Sequence, residues 1–334
     1  MKIDNLLRVS DGMLQNIPSV DHIESIQIDA LHVKRGDLFL DIHNSFQNRE
    51  CAIENGAYAI ISEKIENITD REIAWIEVSS LRLACVKLAR YEFVRKNCKI
   101  LYMDDVELEI FQSIIKNKEY KSLPHNAFNA LLTLNQSGEN TKFICSDKRL
   151  SFSIDSTASE LKQCYNINIL ESKSPFYSSF IANDIFYENI RIPSIFVHKL
   201  CLVMKYLDSK DLEYNLNNIS LKNHFGAVFT DLNLYKKEFG QGEKVLIFEN
   251  NIDYLSQELK HLEEFSKDTV FFAPLKFKNF LSGFRNLDFF RNIDELKEFL
   301  ITTNSRYTLL LLEYNKYHTL VNHRKKEQLT LNIF

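Results

Sequence analysis

Glycine and proline are scarce in this chain of 334 residues, eight and five respectively, and no low-complexity stretch joins one part to another. Short, ordered domain borders are therefore expected in place of flexible linkers. None of the eight glycines precedes a lysine, so the Gly-Lys-Thr/Ser loop that cradles phosphate is missing from the sequence. The six cysteines, Cys51, Cys85, Cys98, Cys145, Cys164 and Cys201, include no Cys-x-x-Cys pair. That excludes zinc-finger spacing and a compact disulfide framework, and buried reduced thiols are expected. Positive charge is not in excess: 41 Lys and Arg stand against 45 Asp and Glu, a net charge of -4, which removes the electrostatic case for a nucleic-acid partner. No window approaches the roughly 18 uninterrupted apolar residues of a membrane span. Met1-Lys2-Ile3-Asp4-Asn5 carries no apolar signal region, and a cytoplasmic protein is expected. No Ser/His/Asp order, helical His-x-x-x-His or separated carboxylate pair stands in a recognisable setting, so no catalytic residue and no metal ligand is assigned.

What is present is an ordinary globular composition, 45% hydrophobic and 26% charged, in a chain long enough for two or three domains. Residues 25–29, 38–42, 57–62 and 74–78 read as strands, with Gly36-Asp37 as the turn before the second. A helix is predicted over 48–55, closed by Gly56 as a left-handed cap. Another is predicted over 81–95, with apolar residues at 83, 86, 88, 89 and 93 and a basic last turn of Arg90 and Arg95. Further on, 99–103, 142–145, 150–154 and 167–170 read as strands and 106–116 and 195–207 as helices. A hairpin follows over 227–234 and 245–248. Its Gly240-Gln241-Gly242 precedes a strand instead of linking strand to helix, and is read as a turn. Helices over 253–265, 275–281 and 293–302 then alternate with strands over 269–272, 287–290 and 307–312, the rhythm of βαβ units in a mostly parallel sheet.

Ile26-Gln27-Ile28-Asp29, then Val33-Lys34-Arg35-Gly36-Asp37-Leu38-Phe39-Leu40, then Ala52-Ile53-Glu54-Asn55-Gly56-Ala57-Tyr58-Ala59-Ile60-Ile61 form a pattern. It resembles the N-terminal, UDP-binding domain of the Mur ligases, in particular those that add D-alanyl-D-alanine to UDP-muramoyl-tripeptide. The resemblance implies an α/β protein of three domains: a UDP-binding-type domain over 1–97, a shortened ATPase-type central domain over 98–222, and a Rossmann-like C-terminal domain over 223–334. Where it implies nucleotide chemistry, the sequence departs. Mur ligases open their central domain with a strand, a Gly-rich phosphate loop and a helix; here that place reads Lys99-Ile100-Leu101-Tyr102-Met103-Asp104-Asp105-Val106-Glu107. Of the family's Asp-Ser-Arg, Asp29-Ala30-Leu31 keeps one residue, and its Asp-Gly-His falls near Asn44-Ser45-Phe46-Gln47-Asn48. The element resembling Gly-Asn-x-Asn appears as Pro124-His125-Asn126-Ala127-Phe128-Asn129, with both asparagines. Gly-x-His-x-x-x-Asn is replaced by Arg191-Ile192-Pro193-Ser194-Ile195-Phe196-Val197-His198, Gly-Arg by Gly226-Ala227, and Lys-Gly-Ser by Glu313-Tyr314-Asn315. The family's Asp-Asp-x-Tyr-Asn-Ala-Asn-Pro run is matched by Phe248-Glu249-Asn250-Asn251-Ile252-Asp253-Tyr254.

The resemblance and its losses together imply a catalytically inactive, Mur ligase-like bacterial protein. It would act in binding or as a scaffold, linked to peptidoglycan precursor synthesis, with a protein or a UDP-muramoyl precursor as partner and no cofactor. The alternative is an active ATP-dependent amide ligase that adds an amino acid or dipeptide to a UDP-muramoyl-peptide, using ATP and magnesium; no residue here is identified for its γ-phosphate. Two surfaces are candidates for binding. One is a ligand cleft of Asp29, Lys34, Asn44, Asn126 and Asn129, although Asn126 reads equally as a helix cap. The other is an aromatic face of Phe277, Phe280 and Phe284 with Arg285. His318, His323, Arg324, Lys325 and Lys326 read as a solvated basic tail.

Overall fold

Leu38-Phe39-Leu40 and Ala59-Ile60-Ile61-Ser62 are buried at every position, as strands covered on both faces must be. They lie at the centre of the first sheet of the computed structural model, which describes residues 1–116, 119–162, 166–281, 283–284 and 286–322. The chain divides into two compact units, Met1–Leu108 with Asn117–Leu161, and Glu109–Lys116 with Lys162–Phe334.

In the first unit, strands β1 (Met13–Leu14), β2 (Ile26–Gln27), β3 (Leu38–Leu40), β4 (Ala59–Ser62) and β5 (Ala74–Glu77) form a sheet in the order β1-β5-β4-β3-β2. All pairs are parallel except β1 with β5. Gly56, at φ 97°, ends the helix before β4, and a Cβ there would stand 2.9 Å from the backbone of Arg35. A second sheet, ordered β7-β8-β6-β9, is built from β6 (Lys99–Tyr102), β7 (Tyr120–Ser122), β8 (Lys142–Cys145) and β9 (Ser159–Glu160), all parallel. Its helices and those of the first sheet are α1 (Ile3–Ser10), α2 (Phe46–Glu54), α3 (Leu81–Arg95), α4 (Asp105–Ile114), α5 (Ala127–Gln136) and α6 (Lys148–Ile154); α4 begins in this unit and ends in the other. One hydrophobic core runs from Ile3 through both sheets to Ala158.

Two sequence expectations are corrected here. Residues 150–154, read as a strand, are helical: Leu150, Phe152 and Ile154 alternate, but Leu150 and Ile154 are also one helical turn apart and both buried. Asp147 decides the matter by capping α6, accepting from the Leu150 N–H at 2.8 Å. On α3 the bounds agree, but the buried face is Leu81, Ala84, Cys85, Leu88, Ala89, Glu92 and Phe93, while Leu83 is 51% exposed. This face packs in the core that α3 shares with α5.

The second unit opens with an antiparallel sheet of β10 (Ile167–Ile169), β11 (Ser178–Ala182) and β12 (Ile185–Ile190). Asn183 and Asp184, both at positive φ, make the two-residue turn between β11 and β12. A five-stranded sheet follows, ordered β13-β14-β17-β15-β16: β13 (Gly226–Thr230), β14 (Lys244–Glu249), β15 (Val270–Pro274), β16 (Leu287–Phe290) and β17 (Tyr307–Leu311). Only β13 is antiparallel to its neighbour, giving the expected hairpin. Helices α7 (Val197–Ser209), α8 (Ile252–Phe265), α9 (Ile293–Thr302) and α10 (Tyr317–Leu320) complete the unit. Asn251 and Asn292 cap α8 and α9 with their side-chain oxygens. The helix expected over 275–281 is reduced to a 3-10 turn, Leu275–Phe277. Within 275–281 Leu281 alone is buried, so no apolar stripe supports a longer helix.

Candidate functional site

The junction between β6 and α4 is where strand, loop and helix N-terminus could hold an anion, because the first N–H groups of a helix have no partner within it. Here the chain supplies its own partners. The Glu107 N–H donates to Asp104 Oδ1 at 2.9 Å, and the Asp104 N–H donates to Glu107 Oε2 at 2.9 Å, a reciprocal capping box. Beside it Lys148 Nζ lies 5.3 Å from the centre of the Tyr102 ring and pairs with Glu160 at 2.7 Å. Burial pushes the Tyr102 phenol upward, and the charges of Asp104, Glu107, Glu160 and Asp105 push it the same way. Two of the junction's N–H groups are therefore occupied by its own carboxylates, and its surroundings are negative. Among the described residues no three His, Cys, Asp or Glu stand as a metal-binding group.

Each residue of the expected ligand cleft has a local position. Asp29 caps the 3-10 turn Ala30–His32, accepting from the Leu31 N–H at 3.0 Å and meeting His32 Nδ1 at 2.8 Å. The exposed Lys34 places its backbone N–H on Asp37 at 2.9 Å. Asn44, in the left-handed region at φ 49°, accepts from Arg49 and from Ser62 Oγ at 3.3 Å, so its amide braces the loop after β3. Asn126 is the α5 cap, accepting from the Phe128 N–H at 2.8 Å, while Asn129 is exposed on the first turn of that helix. Only the cap role of Asn126 was visible beforehand. On the aromatic face, Phe280 is 77% exposed, whereas Phe284 is half-buried against Phe271 at 5.7 Å and Phe277 lies under Lys276 at 4.9 Å. Arg285 lies outside the described residues, as do His323, Arg324, Lys325 and Lys326.

A second site, not anticipated, is a pocket of about 80 Å³ in the second unit. Phe176, Phe225, Phe239 and Tyr314 form its walls, with Arg191 and Lys222 among its lining. The Arg191 guanidinium lies 3.8 Å from the centre of the Phe239 ring. Arg191 belongs to the segment Arg191-Ile192-Pro193-Ser194, and Lys222 shortly precedes Gly226-Ala227. Their separation in sequence hides the pocket.

No protein-family model matches the chain, and no curated protein matches it in sequence. Its structure is similar to that of the MurF ligase from Thermotoga maritima in complex with ADP, at 11% identity and a TM-score of 0.60, covering 89% of this chain and 96% of that one. It is also similar to MurF from Acinetobacter baumannii, at 13% identity and a TM-score of 0.58, covering 96% and 97%. The chain has the multi-domain α/β fold of the Mur ligases. Among the described residues no helix is long and apolar enough to cross a membrane.

Proposed function

We propose that this chain is a catalytically inactive protein of Mur ligase fold, acting in the cytoplasm as a binding or scaffold protein. Its partner is a protein or a UDP-muramoyl precursor of peptidoglycan synthesis. The observation that carries the reading is the capping box of Asp104 and Glu107. In a ligase of this fold that helix start receives the nucleotide phosphates; here two of its N–H groups are taken by the chain's own carboxylates, and Asp104, Asp105 and Glu107 make the place acidic. The reading keeps the three-part division at 97/98 and 222/223. None of the four sheets, over 13–77, 99–160, 167–190 and 226–311, crosses either division, while the compact units part at 161/162 and the first core continues past 97/98.

The test is thermal denaturation with ATP and magnesium at about 1 mM, since a ligand that binds the native state raises its melting temperature by mass action. The expected result is no shift. A magnesium-dependent rise that substitutions over 102–107 abolish overturns the reading in favour of an active ligase.

A further inference from the structure

We propose that the pocket between Phe239 and Tyr314 binds a small aromatic carboxylate, with one ring against its phenylalanine wall and the carboxylate on Arg191 and Lys222. Size sets the first limit. The pocket holds about 80 Å³ and opens to solvent where Arg191 and Lys222 are exposed, so one ring laid on its aromatic wall keeps its acid group at the mouth, and a nucleoside triphosphate is far too large to be enclosed. The walls set the second. Phe176 is buried and meets Phe225, Phe229 and Phe239 at centroid separations of 5.8, 5.5 and 5.7 Å, so the floor is a packed aromatic cluster that presents ring faces and edges.

Charge sets the third. Arg191 and Lys222 are both exposed, and among the described residues neither side chain has an ion pair or hydrogen bond to a protein group. The Phe239 ring, 3.8 Å from the guanidinium carbon, offers no acceptor in its plane, so the N–H groups of Arg191 are left for a bidentate acceptor. Backbone geometry shows that the site is built. A Cβ on Gly226 would lie 2.2 Å from the Lys222 carbonyl oxygen and 2.7 Å from Tyr314 Cδ2, so only glycine lets those two segments close on the strand. Glu109 fixes the same loop by accepting the N–H groups of Lys222 at 2.8 Å and Asn223 at 3.0 Å.

Fluorine NMR of 4-fluorobenzoate with the full chain tests the proposal, with 4-fluorobenzamide, cyclohexanecarboxylate and acetate as competitors. Fluorobenzoate should bind, and the other three should displace it weakly or not at all. Arg191→Gln should weaken binding on the order of tenfold, the value of a charge-assisted hydrogen bond, and Arg191→Gln with Lys222→Gln should abolish it. The melting temperature should hold in both, because both side chains are exposed. Absence of binding, equal binding of the amide or the saturated acid, or unchanged binding to the double variant would overturn the proposal. The outcome is independent of the ATP test, which concerns residues 102–107.

Discussion

The two units treat buried polarity differently. In the first, every buried charge among the described residues is matched. Asp41 receives Arg49 Nε at 2.5 Å and the Ser45 N–H at 3.1 Å. Glu92 receives Arg95 at 2.6 Å, and Lys96 Nζ donates to the carbonyls of Leu134, Asn135 and Ser137 at 2.7, 2.6 and 2.9 Å, closing the C-terminus of α5. The second unit repeats this device, with Lys244 on the carbonyls of Leu300 and Thr303 at the end of α9. It also leaves the buried hydroxyls of Thr230 and Thr308 without a hydrogen-bond partner, and buries the Glu258 carboxyl against that of Glu249. Burial and then the neighbouring charge of Glu249, itself bonded to His224 at 3.0 Å, drive the Glu258 carboxyl well above its ordinary range. The contrast teaches that unsatisfied polarity, and the pH sensitivity of Glu258, lie in the unit that carries the aromatic pocket.

The largest effect should come from breaking the satisfied side. Lys96→Met leaves three carbonyls facing a methionine and should cost about 3 kcal/mol, read as a lower denaturation midpoint. A loss under about 1 kcal/mol would mean that water replaces the ammonium and that the two units are not so different. Next comes Glu258→Gln. The folded-state pKa of Glu258 lies above 4.5, so its stabilising protonation is complete below that value and is lost as pH rises through the folded pKa. The variant should be more stable than the parent at alkaline pH by about 1–2 kcal/mol, with a flatter stability profile from pH 4.5 upward. Parallel profiles would show that Glu258 is solvated and would erase the contrast. The smallest effect is that of Thr308→Val, which removes one orphan hydroxyl from β17 at nearly constant shape and should add about 1 kcal/mol to the unfolding free energy; a loss would show that the hydroxyl has a partner.

Much of the fold was legible because its signals are local. Strands β4 and β14 are apolar runs buried throughout, α9 has Asn292 before it, and the helix before β4 ends on Gly56. The β11–β12 hairpin went unread although Asn183-Asp184 is a turn signal, because its second strand, Ile185 to Ile190, is mostly exposed and lacks an apolar face. The site was less legible. Asp104 and Glu107 stand at capping-box spacing, yet their charges were more conspicuous than their hydrogen bonds. Lys96 and Lys244 drew no reading, since the carbonyls they reach lie 38 and 56 or more residues away. Glu258 stands on the buried stripe of α8, three residues after Leu255 and four before Leu262, and went unread because an acid breaks the apolar pattern there.

The reciprocity of the Asp104 and Glu107 bonds couples the two residues across the first turn of α4. Alanine at either position would strand one N–H and leave the other acid at the helix start, whereas Asn at 104 or Gln at 107 would keep the cap and remove one charge. Capping and charge at this turn are therefore separable properties.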